Sequence, residues 1–181
     1  MTTQRLASFS LFSILSTTLL LLLGCGGGGG GSGDNFIGAA EVRIQASPEQ
    51  IDSGDRTEVQ ITLSNLHPNG IALKIRYPKG LDYVNASSFI TINDSDTDVS
   101  PTINQTKGSD VYLVYYISAD QIGENEEGTL YFELEGKDSI EDGEIEVDPD
   151  VDDPAIDNAT EFNTEEPQFG AEDQVSIQVT D

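Results

Sequence analysis

Tryptophan is absent from the chain, and Cys, His and Met occur once each in 181 residues. Basic residues are scarce: eight Lys and Arg stand against 33 Asp and Glu, a formal charge of −25. Each shortage excludes something. A surface of that sign repels phosphate backbones, which argues against nucleic-acid binding. One Cys excludes an internal disulfide framework and any Cys-cluster zinc site. With one His and one Cys, little material remains for a catalytic triad. Apolar residues make up 36%, a modest share that still supplies one core. The span from Asp34 to Asp181 is of ordinary domain size, able to bury about 70% of its unfolded surface.

The N-terminus reads as an address. Arg5 is the one charged side chain before a largely apolar run, Phe9 to Leu23. The run is about fifteen residues, against roughly 20 for a membrane-spanning helix, and a small residue, Gly24, follows it, as before the cut of a secretory signal. Leu22-Leu23-Gly24-Cys25 resembles the lipobox of bacterial lipoproteins. That resemblance implies cleavage before Cys25, a diacylglyceryl group on its thiol and a fatty acyl group such as palmitate on its new amine. The alternative is an ordinary secretory signal with a Cys near the cut. Several acyl chains anchor stably where one binds only marginally. Glycines fill positions 26 to 31, followed by Ser32 and Gly33; polyglycine has nothing to pack and forms a flexible tether. The position after Cys25 is not Asp, which in lipoproteins of two-membrane bacteria resembles outer-membrane sorting. The expected organisation is a signal peptide over residues 1–24, a lipidated Cys and tether over 25–33, and a folded domain over 34–181, at the outer membrane or cell surface.

Within that domain no helical period of useful length is present, whereas alternation with period two recurs. Val42, Ile44 and Ala46 alternate with polar residues, as do Val59, Ile61 and Leu63, and Ile71, Leu73, Ile75 and Tyr77. Shorter pieces lie at Leu81 to Val84 and Phe89 to Ile92. Val111 to Ile117 is apolar or aromatic on both faces. Leu130 to Leu134, Ile145 to Val147 and Val175 to Val179 complete the set. Turn signals separate them, among them Asp52-Ser53-Gly54, Pro68-Asn69-Gly70, Lys107-Gly108-Ser109 and Glu141-Asp142-Gly143. Many short strands at this spacing predict an all-β, two-sheet antiparallel sandwich. The run Thr57 to Asn65, the strand Gly70 to Tyr77-Pro78, the piece Leu81-Asp82-Tyr83-Val84, the strand Val111 to Ile117, the stretch Gly128 to Glu135 and the closing Val175 to Val179 together resemble cohesin-like modules; other immunoglobulin-like extracellular modules alternate similarly. The cohesin resemblance implies a jelly-roll of about nine strands, no catalytic activity, and recognition of a partner protein through one sheet face.

Residues that bear chemistry are few. Between Asp120 and Asp173 the chain carries 21 acidic residues and one basic residue, Lys137. There Asp148, Asp150, Asp152 and Asp153 space carboxylates as a calcium loop does, and Asp94, Asp96 and Asp98 do likewise. Neither run has the Gly and Glu that an EF-hand requires. Ca2+ is thus one reading of Asp148 to Asp153, and a solvated acidic loop is the other. His67 sits in a turn, where exposure is the expectation. The folded part holds no Gly-x-Ser-x-Gly elbow, and the glycine run lacks the Lys of a phosphate loop. Carboxylate pairs suited to glycoside chemistry arise by chance in so acidic a chain.

A polarity contrast is more informative. Lys74 and Arg76 share the outward face of their strand, since Leu73 and Ile75 point inward. Tyr112 and Tyr116 share one face of theirs. If the two strands are neighbours, Lys74, Arg76, Tyr112 and Tyr116 form a Tyr/basic patch in an acidic surface, and Tyr and Arg are enriched at interface hot spots. The alternative is that the tyrosines are covered and the cations neutralise acidic neighbours. The sequence reading is thus a lipid-anchored, non-catalytic envelope module that presents a sandwich face to a protein partner, as scaffold or adhesion module. The alternatives are a carbohydrate-binding or calcium-dependent module and an accessory subunit of an envelope assembly.

Overall fold

In a computed structural model the chain is described over residues 40–66, 68, 70–148 and 173–181. The signal, Cys25, the tether, His67 and most of the acidic run after Asp148 lie outside the described residues. The strands are β1 (Glu41–Ser47), β2 (Gln50–Asp52), β3 (Arg56–Ser64), β4 (Gly70–Pro78), β5 (Leu81–Tyr83), β6 (Phe89–Ile92), β7 (Ser95–Asp98), β8 (Ile103–Lys107), β9 (Asp110–Ser118), β10 (Gly128–Gly136), β11 (Ile140–Asp148) and β12 (Gln174–Thr180). One helical turn, α1 (Ala119–Ile122), links β9 to β10.

Alternation sets where these strands go. Along β3, Val59, Ile61 and Leu63 are fully buried while Glu58 and Thr62 are exposed. Along β10, Leu130, Phe132 and Leu134 are fully buried between half-buried Thr129, Tyr131 and Glu133. Each element therefore has one face to hide, and two such sheets hide their faces against each other. The first sheet runs β1-β3-β10-β6-β7, with β5 also pairing β10; the second runs β2-β12-β11-β4-β9-β8. The inner residues of both merge into one core, in which Ile71, Leu73, Ile75, Leu113, Tyr115 and Ile117 meet Val59, Ile61, Leu63, Leu130 and Phe132. Burying each large apolar side chain contributes roughly 1.5–3 kcal/mol relative to leaving it in water.

Two tight hairpins fix register at the edges. β6 and β7 pair Ile92 with Ser95, leaving Asn93 and Asp94 as the loop, with φ of 50° and 58°. Positive φ at both loop residues is the primed turn that matches strand twist, and Asn and Asp tolerate it. Between β8 and β9, Gly108 takes φ 67° beside Ser109. Gly70 opens β4 at φ 106°, and a Cβ there would lie 2.5 Å from the Ile117 carbonyl oxygen, so only glycine fits.

The two-sheet sandwich agrees with the sequence expectation, and three details differ. Twelve strands are present among the described residues rather than about nine. β2, β7 and β8 carry no apolar alternation: β7 is Ser-Asp-Thr-Asp, exposed throughout, and β8 buries only Ile103. Strands that hydrogen-bond at a sheet edge need no buried face, so periodicity does not reveal them. The pairing is not wholly antiparallel either, because β2 runs parallel to β12. The interruption at Pro48 and Glu49 carries the chain from β1 in the first sheet to β2 in the second.

Candidate functional site

The outer faces of the two sheets differ. In the second sheet, β4 lies between β11 and β9, and the register sets Glu146 beside Arg76 and Arg76 beside Tyr112. Asp148 pairs Lys74, and Ala72 pairs Tyr116. The four residues expected to form a patch, Lys74, Arg76, Tyr112 and Tyr116, therefore do share one face. Their exposure departs from the expectation of an open patch. Lys74 is 4% exposed and Tyr112 is 6%, while Arg76 and Tyr116 are half-buried. Their neighbours Ala72, Val114 and Ile103 are buried as well, so this face is closed where β4 and β9 meet.

The cations there are matched by carboxylates. Arg76 Nε donates to Glu146 Oε2, and that hydrogen bond holds the guanidinium pKa above its ordinary value. Lys74 Nζ lies 4.0 Å from Asp148 Oδ2, and both side chains are almost wholly buried. Alternation put Lys74 on the outward face correctly; that a strand can be buried on both faces showed only in the apolar residues of β9.

Of the residues proposed for calcium, Asp148 ends β11 and faces this lysine; an ammonium so close competes with a metal ion for the carboxylate. Asp150, Asp152 and Asp153 lie outside the described residues. Among the described residues no group of three or more His, Cys, Asp or Glu is placed to hold a metal ion. Asp96 and Asp98 sit in strand β7 rather than a loop, and Asp96 accepts a 2.6 Å hydrogen bond from Thr91 Oγ1. Beyond Arg76 the same face opens into a groove of about 900 Å³, lined by Glu49, Asp110, Glu141, Glu144 and Glu146.

Inside the sandwich, Ser88 Oγ bridges Tyr83 and Tyr115, at 2.7 and 2.8 Å from their hydroxyls. Tyr77 is 1% exposed, and its hydroxyl has no hydrogen-bond partner among the described residues. Burial pushes the pKa values of Tyr77 and Tyr115 well above the ordinary phenol value.

The outer face of the first sheet is open at its centre, where that of the second is closed. Tyr131 pairs Gln60 on one side and Phe89 on the other. The rings of Phe89 and Tyr131 stack, with centroids 4.7 Å apart and planes 14° from parallel. Gln45 extends the row beyond Gln60, and Asp98 beyond Phe89. A second row runs Arg43, Thr62, Thr129, Thr91 and Asp96. On the other side of the aromatic row, Arg56 Nη1 donates to Glu133 at 2.9 Å and its Nε to Glu135 at 3.2 Å. Alternation alone puts Tyr131 outward, but its juxtaposition with Phe89 depends on register between strands some forty residues apart, which no local pattern encodes.

No family model matches the chain, and no curated protein matches it. Solved structures similar to it include the N-terminal domain of the Streptococcus gordonii adhesin Sgo0707, at 12% identity and a TM-score of 0.48, over 77% of this chain and 32% of that one. AvmM, which catalyses macrocyclisation in alchivemycin A biosynthesis, matches at 14% identity and 0.44, over 78% of this chain and 89% of that one. A cohesin module from a Clostridium perfringens family 33 glycoside hydrolase matches at 12% identity and 0.37, over 78% of this chain and 97% of that one. The chain thus spans about a third of the adhesin's length. The sandwich architecture itself rests on the strand pairing described above.

Proposed function

We propose that the chain is a non-catalytic binding module, held at the bacterial cell envelope by a lipid on Cys25 and the glycine tether, and that it engages its partner through a sheet face in the manner of a scaffold or adhesion module. The observation that supports this most directly is the asymmetry of the sandwich. The second sheet buries Lys74, Val114 and Tyr112 on its outer face, while the first sheet leaves an aromatic pair half-exposed on neighbouring hydrogen-bonded strands. Rigid elements present such groups with little ordering cost on binding. The lipobox-like Leu22-Leu23-Gly24-Cys25 and the run of glycines support the anchor and its reach.

The test is capture. Full-length chain, immobilised and exposed to solubilised envelope material with calcium or with chelator, retains a partner on this reading. One protein at near-equal amount supports scaffolding, and retained polysaccharide supports adhesion to a glycan. Loss in chelator places Ca2+ in the contact. Retention of nothing contradicts the reading.

A further inference from the structure

The open face of the first sheet has a chemistry of its own. Around the stacked Phe89 and Tyr131 lie Gln45, Gln60, Thr62, Thr129 and Thr91, all on the same face by register. None of these side chains is charged, in a chain with a formal charge of −25. Charged residues border them: Asp98 pairs Phe89, Glu133 and Glu58 form the next row beside Tyr131 and Gln60 with Arg56 bound to Glu133 and Glu135, and Arg43 and Asp96 lie on the outer strands. Four strands abreast, at about 4.8 Å spacing, carry these uncharged residues and make the band about 14 Å across.

We propose that this band is a binding platform for a neutral polysaccharide. The inference rests on the binding-module reading and names its site and ligand class. Glutamine amides and threonine hydroxyls both donate and accept hydrogen bonds, which matches sugar hydroxyls that also do both. The stacked rings supply apolar surface for the C–H face of a sugar ring, in the way that ligand sites combine aromatic surface with a few placed polar groups. The overall negative charge disfavours an anionic polymer. A protein partner generally demands a desolvated apolar or Arg-rich anchor surrounded by excluded water, and here amides, hydroxyls and the Asp98 and Glu133 carboxylates surround the aromatics instead. A band that runs across the strands suits a chain molecule laid along it.

Affinity electrophoresis of the full-length chain tests this in gels containing hydroxyethylcellulose, galactomannan or dextran, with alginate as the anionic control. The expected result is retardation in at least one neutral gel and none in alginate. Tyr131→Ala should weaken that retardation about tenfold and Gln60→Ala about threefold, whereas Ser176→Ala on the opposite sheet leaves it unchanged. Gln60→Ala keeps the aromatic pair and carries the test if Tyr131→Ala loses its fold. No retardation in any neutral gel overturns the proposal, as does retardation that both variants leave intact or that is stronger in alginate. A protein captured from envelope material by a chain that no neutral gel slows would overturn the platform and leave the module reading standing. Capture of nothing, with no retardation, overturns both.

Discussion

Tyr115 and Tyr77 carry phenols that the core keeps protonated. Burial raises both pKa values above the ordinary value near 10. Above that pH the unfolded chain releases these protons and the folded chain retains them, so the folded state binds more protons and loses stability as pH rises. Their contribution is constant below about pH 9 and falls above about pH 10 by roughly 1.4 kcal/mol per pH unit for each phenol. Urea midpoints at pH 8 and pH 11 should show the fall, and Tyr115→Phe should reduce its slope. The Lys74–Asp148 pair makes a second residue-scale prediction. Asp148→Ala leaves a buried ammonium without this carboxylate and should cost about 3–5 kcal/mol, while the double change Lys74→Met with Asp148→Leu should cost much less. Costs that add, the double change costing the sum of the two single changes, would show that the two do not interact. At this scale the sequence was partly legible. Alternation placed Lys74 with Arg76 and Tyr112 with Tyr116, but that the two pairs share a face depends on the pairing of β4 with β9, and their burial depends on what packs over that face; no local pattern reports either.

Among the elements, strands with a buried face were readable, the edge strand β1 included, and edge strands without an alternating apolar face were not. β3, β4, β9 and β10 announce themselves through alternating or continuous apolar residues, because the core demands them. β7 and β8 are held by ladder hydrogen bonds and by turns that Asn93-Asp94 and Gly108 permit. The run Asp94, Asp96, Asp98 has the spacing of a calcium loop, yet Asp94 sits in a hairpin turn and Asp96 and Asp98 in an edge strand, where acidity suits an exposed edge that must not pair with other chains. Gly70 supplies the test at this level. Ala there meets both a positive φ and the Ile117 carbonyl at 2.5 Å, so Gly70→Ala should destabilise by more than about 1 kcal/mol. Gly54→Ala has a positive φ but open space around it, and thermal melts should rank it as the milder change.

On the scale of the whole molecule, the proposal adds a lipid anchor and a tether to a sandwich whose first sheet has an open outer face. Fatty-acid labelling checks the first: the parent should take label and Cys25→Ser should not. The two-sheet architecture could be read from the strand pattern because two amphipathic sheets have few ways to hide their inner faces. The open face could not, since Phe89 and Tyr131 meet only through register across β6 and β10. The most direct test of that face is a photo-crosslinker carried in the full-length chain on intact cells, at Thr62 on the outer face of the first sheet or at Ser176 on that of the second. The account predicts an envelope adduct at Thr62 that Tyr131→Ala removes, and little at Ser176. Adducts at Ser176 alone, or at neither position, would contradict it.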